Sequence, residues 1–368
     1  LTNEKQTVRI MVYRGDRSAC HFYRCFCPFG KLSQIKKDIY TTYISSVITK
    51  EHLNDYFDLI VLQRQHTKEV YDAITTMRKK GSKLIYEIDD DLFNIPDWNP
   101  ARAVLGIKSV QDGIKRFLGI ADAMFVSTEY LVDIYKDYCK KIYVLPNSLN
   151  FDFFYPSPNN AQKKVVCWQG SMTHYKDIGI AKNGFTGLAN NKDILFKLWC
   201  GFDLKTHKPL FDFPGAHVIP LVPFEAFYAM FSQLDACIGL APLSTVPFNK
   251  SKSNLKFLEY TAQGMVTVAS DFGPYQESIE DGVTGVLVSD NRQWYDAVMD
   301  LVEHDEKRST MLANARTYVK ENFDVANNYL LWEDAIKEVL GERHGETIRA
   351  SDSGVRFSID RQGSERQL

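Results

Sequence analysis

Lys252-Ser253-Asn254-Leu255-Lys256-Phe257-Leu258-Glu259-Tyr260 reads as the opening of a helix over residues 253–263, and Gly264-Met265-Val266-Thr267-Val268-Ala269-Ser270 carries it into a buried strand at 266–269. The same alternation spreads in both directions. Strands are expected at 165–168, 196–199, 217–219, 236–239 and 286–288, with helices at 223–233, 291–303 and 305–322. Toward the N-terminus, strands are expected at 8–12, 59–62, 83–88, 124–126 and 142–145, with helices at 68–80, 109–118 and 128–139. Strands alternating with helices imply parallel βαβ units in doubly wound sheets.

The rhythm breaks at residues 146–164, which hold Pro146, Pro156 and Pro158 and a polar run. This reads as an interdomain linker. The expected division is 1–150 and 151–325 as two Rossmann-like domains, 326–340 as a helix crossing back to the first domain, and 341–368 as a polar tail without a core of its own. The length of 368 residues fits two domains and some excess, at roughly 150 residues each.

Composition narrows the classes further. Apolar residues make up 45% and charged residues 24%, the values of an ordinary globular protein. The seven Cys cannot all pair, and Cys25 and Cys27 have no second pair at zinc spacing, so a reducing compartment is expected. No apolar run reaches the roughly 18 residues of a membrane span, and residues 1–9 lack a signal-peptide core. A cytoplasmic or membrane-peripheral protein is expected. The net charge of −2 excludes a generally basic nucleic-acid binder. It conceals a basic first segment, with eight Lys/Arg against three Asp/Glu in residues 1–40.

Two segments carry chemistry. Lys252, Lys256 and Glu259 fall at i, i+4 and i+7, on one helix face. Ser253 and Asn254 begin that helix, where free N–H groups and a positive dipole end suit a diphosphate. A carboxylate two turns along suits a pair of ribose hydroxyls. A solvated Lys/Glu face gives the same pattern. Trp168-Gln169-Gly170-Ser171-Met172-Thr173-His174-Tyr175-Lys176-Asp177 follows a strand and opens a βα turn, the place where open α/β sheets bind ligands. An ordinary polar loop is the alternative there.

Taken together with Gly239-Leu240-Ala241-Pro242-Leu243, Asp281-Gly282-Val283-Thr284-Gly285-Val286-Leu287-Val288 and Asn147-Ser148-Leu149-Asn150-Phe151-Asp152, these segments resemble the GT-B glycosyltransferases. The closest resemblance is to the retaining family 4 (GT4) group, over roughly residues 120–340. It implies two Rossmann-like domains facing a cleft and a nucleotide-sugar donor, with no metal and no further cofactor required. It also implies transfer to an acceptor with net retention. Glu259 matches the second Glu of the family's Glu-x7-Glu, which holds ribose. The first Glu is replaced by Ser251, and the family's diphosphate-gripping Arg by Ser171, while Lys176 lies near the family's Lys. The resemblance thus assigns Gly170, Ser171, His174, Lys176, Lys252, Ser253, Asn254, Lys256 and Glu259 to the donor.

In the first domain, Tyr86-Glu87-Ile88-Asp89-Asp90-Asp91 ends a strand facing the expected cleft. For Asp89, Asp90 and Asp91 three functions are open: contact with sugar hydroxyls, acceptor activation or a divalent ion. A helix cap is the fourth reading. With Lys176 and Lys252 they form the catalytic candidates. Arg14-Gly15-Asp16-Arg17-Ser18 follows the first strand, and Arg14, Gly15, Arg17 and Arg24 are candidates for acceptor or sugar contact. The basic segment and its aromatics Tyr13, Phe22, Tyr23, Phe26 and Phe29 fit an anionic acceptor or a solvated surface over core aromatics equally. The expected acceptor is a cell-surface glycan or lipid-linked sugar, with hydroxymethylated DNA as the alternative. A catalytically silent nucleotide-binding subunit is a third reading. The absence of a G-x-G-x-x-G after the first strand argues against an NAD-dependent oxidoreductase.

Overall fold

The computed structural model describes residues 7–156, 164–203, 205–206 and 208–341. All of the expected polar tail 341–368 except its first residue, and part of the expected linker, lie outside the described residues.

Each half is built on a six-stranded parallel sheet. The first comprises β1 (Val8–Tyr13), β2 (Tyr40–Ser45), β3 (Leu59–Gln63), β4 (Lys83–Ile88), β5 (Ala123–Val126) and β6 (Ile142–Val144), in the order β2-β1-β3-β4-β5-β6. The second comprises β7 (Val165–Gln169), β8 (Leu195–Trp199), β9 (His217–Ile219), β10 (Ile238–Ala241), β11 (Val266–Ser270) and β12 (Val286–Val288), in the order β12-β11-β10-β7-β8-β9. Every paired strand is parallel. Helices cover both faces of each sheet, so the strands are apolar on both sides. In β1, Ile10 and Val12 enter one core while Met11 and Tyr13 enter the other.

Several elements were not among the sequence expectations, including helices at Lys50–Asn54 and Lys182–Asn190. β2 was not anticipated: Tyr40-Thr41-Thr42-Tyr43 has no continuous apolar run, because an edge strand is half exposed. A helical stretch at 19–35 was also missed. A π-helical turn at Phe22–Phe26 joins Ala19–His21 to Cys27–Ile35, and it disrupts the 3.6-residue period that marks a helix.

The last helix, Val325–Leu340, packs on the first domain. Trp332 meets Phe29 at 5.5 Å and Phe125 at 5.4 Å between ring centroids, and Ile336 and Val339 join the same core. The chain therefore crosses between domains twice, and the crossings are tied together. Leu149 N donates to Phe323 O (2.7 Å), Val325 N donates to Leu149 O (2.8 Å), and Asn328 Nδ2 donates to Ser148 Oγ (3.0 Å). All seven cysteines are free thiols. No helix of the described residues is long and apolar enough to cross a membrane.

Candidate active site

The loops at the carboxyl ends of both sheets enclose one cleft of about 490 Å³, within the usual range for a small-molecule site. Among its lining residues are Arg64, Asp89 and Asp90 from the first domain and Gly170, His174, Lys252, Lys256 and Glu259 from the second.

The helix Leu255–Gln263 forms one wall of the cleft. Tyr260 anchors it: its ring lies over Gly239, where a Cβ would stand 2.4 Å from the ring, and its hydroxyl donates to Leu240 O (3.1 Å) and accepts from Gln169 N (3.2 Å). That contact fixes the helix register and sets Glu259 at the cleft. Glu259 Oε1 accepts from Tyr23 Oη (2.7 Å) and Oε2 from Gln169 Nε2 (3.1 Å). Burial raises the Glu259 carboxyl to about 7. One turn earlier, Lys256 Nζ donates to Gln169 O (2.6 Å), and burial lowers this ammonium to about 8. The helix begins at Leu255, so Ser253 and Asn254 precede its first turn. Ser253 lines the cleft and accepts from Asn147 Nδ2 (2.9 Å), whereas Asn254 is buried against Ser278 (2.9 Å).

The loop after β7 forms the floor. A Cβ on Gly170 would stand 2.6 Å from the Trp168 ring and 3.0 Å from His174, so only glycine lets this loop sit so close. Ser171 lines the cleft and accepts from Thr173 N (3.4 Å). His174 Nδ1 donates to buried Asp177 Oδ2 (2.9 Å), whose Oδ1 accepts from Ser244 N, Ser244 Oγ and Asn249 Nδ2. Burial and the nearby Lys256 charge lower His174 to about 4, so its ring is neutral and Nε2 remains an acceptor.

The Asp run divides. Asp90 crosses the cleft: its Oδ2 pairs with Lys252 Nζ (2.9 Å) and its Oδ1 accepts from Ser251 Oγ (3.2 Å). Asp89 pairs with Arg64. Asp91 turns away, accepting from Phe93 N (3.1 Å), Asn94 N (3.0 Å) and Asn94 Nδ2, so it caps a turn instead of facing the cleft. Among the described residues no three His, Cys, Asp or Glu side chains converge as a metal group.

Several candidates fall outside the cleft. Lys176 is exposed on the outer side of its helix, because the turn that buries Asp177 points its neighbour to solvent. Arg17 is exposed, and Gly15 packs against β3, its N–H donating to Gln63 Oε1 (3.2 Å). Arg24 is wholly buried, its Nε on Glu87 Oε1 (2.6 Å), its Nη1 on Leu145 O, and its guanidinium 4.9 Å from the Trp332 ring centre. It meets an internal carboxylate, not an acceptor. The basic first segment is dispersed in the same way: Arg9 pairs with Asp55 (2.5 Å) and Lys36 with Glu333 (3.9 Å). Tyr23 and Phe29 are core residues.

Sequence reasoning passed over Tyr23, Arg64 and the two roles of Gln169. Tyr23 was read only as one aromatic of a basic segment. Arg64 carried a signal in retrospect: it follows a strand in Gln63-Arg64-Gln65-His66, a polar run at the carboxyl end of β3. Its φ of +50° is unusual for a non-glycine residue and marks a constrained position.

Comparison with known proteins agrees with this geometry. Residues 214–304 match the family described as Glycosyl transferases group 1. No curated protein matches the chain in sequence. Among solved structures, sucrose-phosphate synthase from Thermosynechococcus elongatus superposes with a TM-score of 0.65 at 14% identity, covering 92% of this chain and 100% of that one. HepE of Anabaena, in complex with UDP and glucose, superposes at 0.62 with 12% identity, covering 90% and 100%. A mutant of S. aureus TarM in complex with Fondaparinux, alpha-GlcNAc-glycerol and UDP superposes at 0.54 with 14% identity, covering 75% and 55%. At these identities the likeness establishes the fold alone, the two facing Rossmann-like domains of the GT-B type.

Proposed function

We propose that the protein transfers a sugar from a nucleoside-diphosphate sugar to an acceptor hydroxyl, with retention at the anomeric carbon. The acceptor is a cell-surface glycan or a lipid-linked sugar. The observation that carries this reading is the convergence of Glu259 and Lys256 from one helix, and Lys252 from the segment that leads into it, on a cleft whose opposite wall supplies Asp89, Asp90 and Arg64. Glu259 accepts from the ribose hydroxyls. Lys252 and Lys256, with the N-terminal dipole of the helix Leu255–Gln263, hold the diphosphate and stabilise the charge that develops as it leaves. The anomeric C–O bond breaks with its electron pair going to the diphosphate, and the acceptor oxygen forms the new bond on the same face. The acceptor proton passes to the departing phosphate oxygen. Neutral His174, with Nε2 as an acceptor, is placed to bind a sugar hydroxyl.

The replacement of a Glu by Ser251 does not leave the site without a carboxylate, since Asp90 reaches Ser251 Oγ from the first domain. This favours an enzyme over a silent subunit. Three of the eight basic residues of the first segment, Arg9, Arg24 and Lys36, pair with carboxylates of this chain, which weakens the support for a DNA acceptor. Thermal stabilisation by a panel of nucleoside diphosphates, followed by mass spectrometry of reactions with mixed nucleotide sugars, tests the reading. Stabilisation by at least one nucleotide and transfer or hydrolysis abolished in Glu259→Ala and Lys252→Ala are expected. No response to any nucleotide at millimolar concentration defeats it.

A further inference from the structure

In the first sheet the chain goes from β1 outward to β2 and then returns to β3 on the other side of β1, so β1 and β3 flank the topological switch point. Ligands of open α/β sheets bind in the crevice beyond the strand ends at this place. Four buried nitrogens belong to residues at or just beyond the ends of β1 and β3, and none has a hydrogen-bond partner among the described residues: Arg14 Nε, His21 Nδ1, Gln63 Nε2 and Arg64 Nε.

All four are donors. Arg14 Nη1 lies 3.2 Å from His21 Nε2, and a guanidinium can only donate, so Nε2 accepts and the ring proton sits on Nδ1. Burial and the Arg14 charge lower His21 to about 4, in keeping with a neutral ring. Gln63 Oε1 already accepts from Gly15 N (3.2 Å), which leaves its amide nitrogen unspent. His21 is 7% exposed and Gln63 0%. Four carboxylates stand nearby, Asp16 beside His21 and Glu87, Asp89 and Asp90 around Arg64. Asp89 pairs with Arg64, and Asp16 Oδ1 accepts from Ser18 N and Ser18 Oγ, both at 2.8 Å. None of the four carboxylates accepts from any of the four nitrogens.

A buried donor without an acceptor costs roughly 1–3 kcal/mol. Four unpartnered donors, two of them on guanidinium groups, against two carboxylate oxygens without a hydrogen-bond partner, Glu87 Oε2 and Asp89 Oδ1, favour an anion. Access exists, because Arg64, Ser18, Ala19 and Cys20 line the cleft of Lys256 and Glu259. We propose that the β1/β3 switch point binds an anionic group, a phosphate monoester above all, through Arg14, His21, Gln63 and Arg64, and that this group belongs to the acceptor. Calling the ligand an acceptor rests on the glycosyl-transfer reading, whereas the anion site does not.

The test is calorimetric titration of the full chain with inorganic phosphate, and separately with UDP, for the wild type, Arg14→Gln and Lys252→Ala. Phosphate affinity is expected to fall about tenfold in Arg14→Gln, the loss of a charge-assisted contact. UDP affinity is expected to fall in Lys252→Ala. If Arg14→Gln lowers the melting temperature strongly, Arg14→Lys serves instead: it keeps the charge, loses the Nε–H and should weaken phosphate by a smaller factor. Displacement of phosphate by methyl phosphate alone marks a soluble acceptor, and by dodecyl phosphate a lipid-borne one. Absence of phosphate binding, or binding lost in Lys252→Ala and unchanged in both Arg14 variants, overturns the proposal. Arg14-dependent phosphate binding without UDP binding leaves the anion site standing and removes the uridine donor.

Discussion

The hydroxyl of Tyr23 donates to Glu259 Oε1 at 2.7 Å, joining residues 236 positions apart and on opposite domains. Tyr228 Oη donates in turn to Tyr23 Oη at 2.7 Å. The carboxylate proposed to hold ribose is therefore engaged by a side chain of the first domain.

Tyr23→Phe removes that donor and leaves a buried carboxyl oxygen unpaired. The Tyr23 hydrogen bond holds the Glu259 carboxyl down against the effect of burial. In Tyr23→Phe, then, the acid limb of nucleotide affinity moves above pH 7, and folding stability falls by roughly 1–2 kcal/mol. Nucleotide titrations across pH, with denaturant melts of both proteins, check both effects. An unmoved acid limb shows that the contact does not tune Glu259.

Nucleotide affinity should peak between about pH 7 and 8. Glu259 must be ionised to accept from both ribose hydroxyls, and it titrates at about 7. Lys256 must be charged to hold a diphosphate, and it titrates at about 8. Below the lower value Glu259 takes up a proton, and above the higher value Lys256 loses one. Each limb falls by at most about tenfold per pH unit. A flat dissociation constant from pH 6 to 9 contradicts these roles.

Glu259→Gln should stabilise the empty protein above pH 7 while weakening nucleotide binding. The folded-state value of about 7 exceeds the ordinary 4.5, so the folded protein binds the extra proton more tightly between those values. Stability contributed by this group is thus greatest at low pH and declines as pH rises from 4.5 to 7. The full penalty above pH 7 is about 3 kcal/mol. The gain in Glu259→Gln is roughly 1–2 kcal/mol, because one end of the new amide cannot accept from Gln169. Melts at pH 5 and pH 8 should show the gain only at the higher pH.

Arg24→Met strands Glu87 in the core. Breaking a buried pair at one partner costs about 3–5 kcal/mol, since it leaves an uncompensated charge. The melting temperature should drop sharply, while acceptor KM, measured on the protein that remains folded, stays near its original value. A selective rise in acceptor KM without loss of stability gives Arg24 a binding role instead.

The sheets were legible because strands buried on both faces are continuous apolar runs, as in Leu59-Ile60-Val61-Leu62. That Lys252, Lys256 and Glu259 line one cleft was legible because they belong to one helix and its entry, where spacing maps directly onto a face. What crosses the cleft was not. Nothing local to Tyr23 shows that it meets Glu259, and a charge count of residues 1–40 cannot see that Arg24 is matched by Glu87 from β4. Lys176 was misplaced by one position in a tight turn: its neighbour Asp177 is buried, so Lys176 faces water.

The packing of the last helix on the first sheet sets the order in which the molecule is completed during synthesis. Trp332, Ile336 and Val339 close a core whose strands end with β6 at Val144. The ribosome adds all of residues 145–324 before Val325–Leu340 exists. At a synthesis rate of about 5–20 residues per second, that interval is on the order of ten seconds or more. For that time Phe29 and Phe125 lack their covering helix, and the second domain folds while the first is still open. The domain begun first is finished last, so the first half expressed by itself exposes an apolar face, and the two halves are not independent modules.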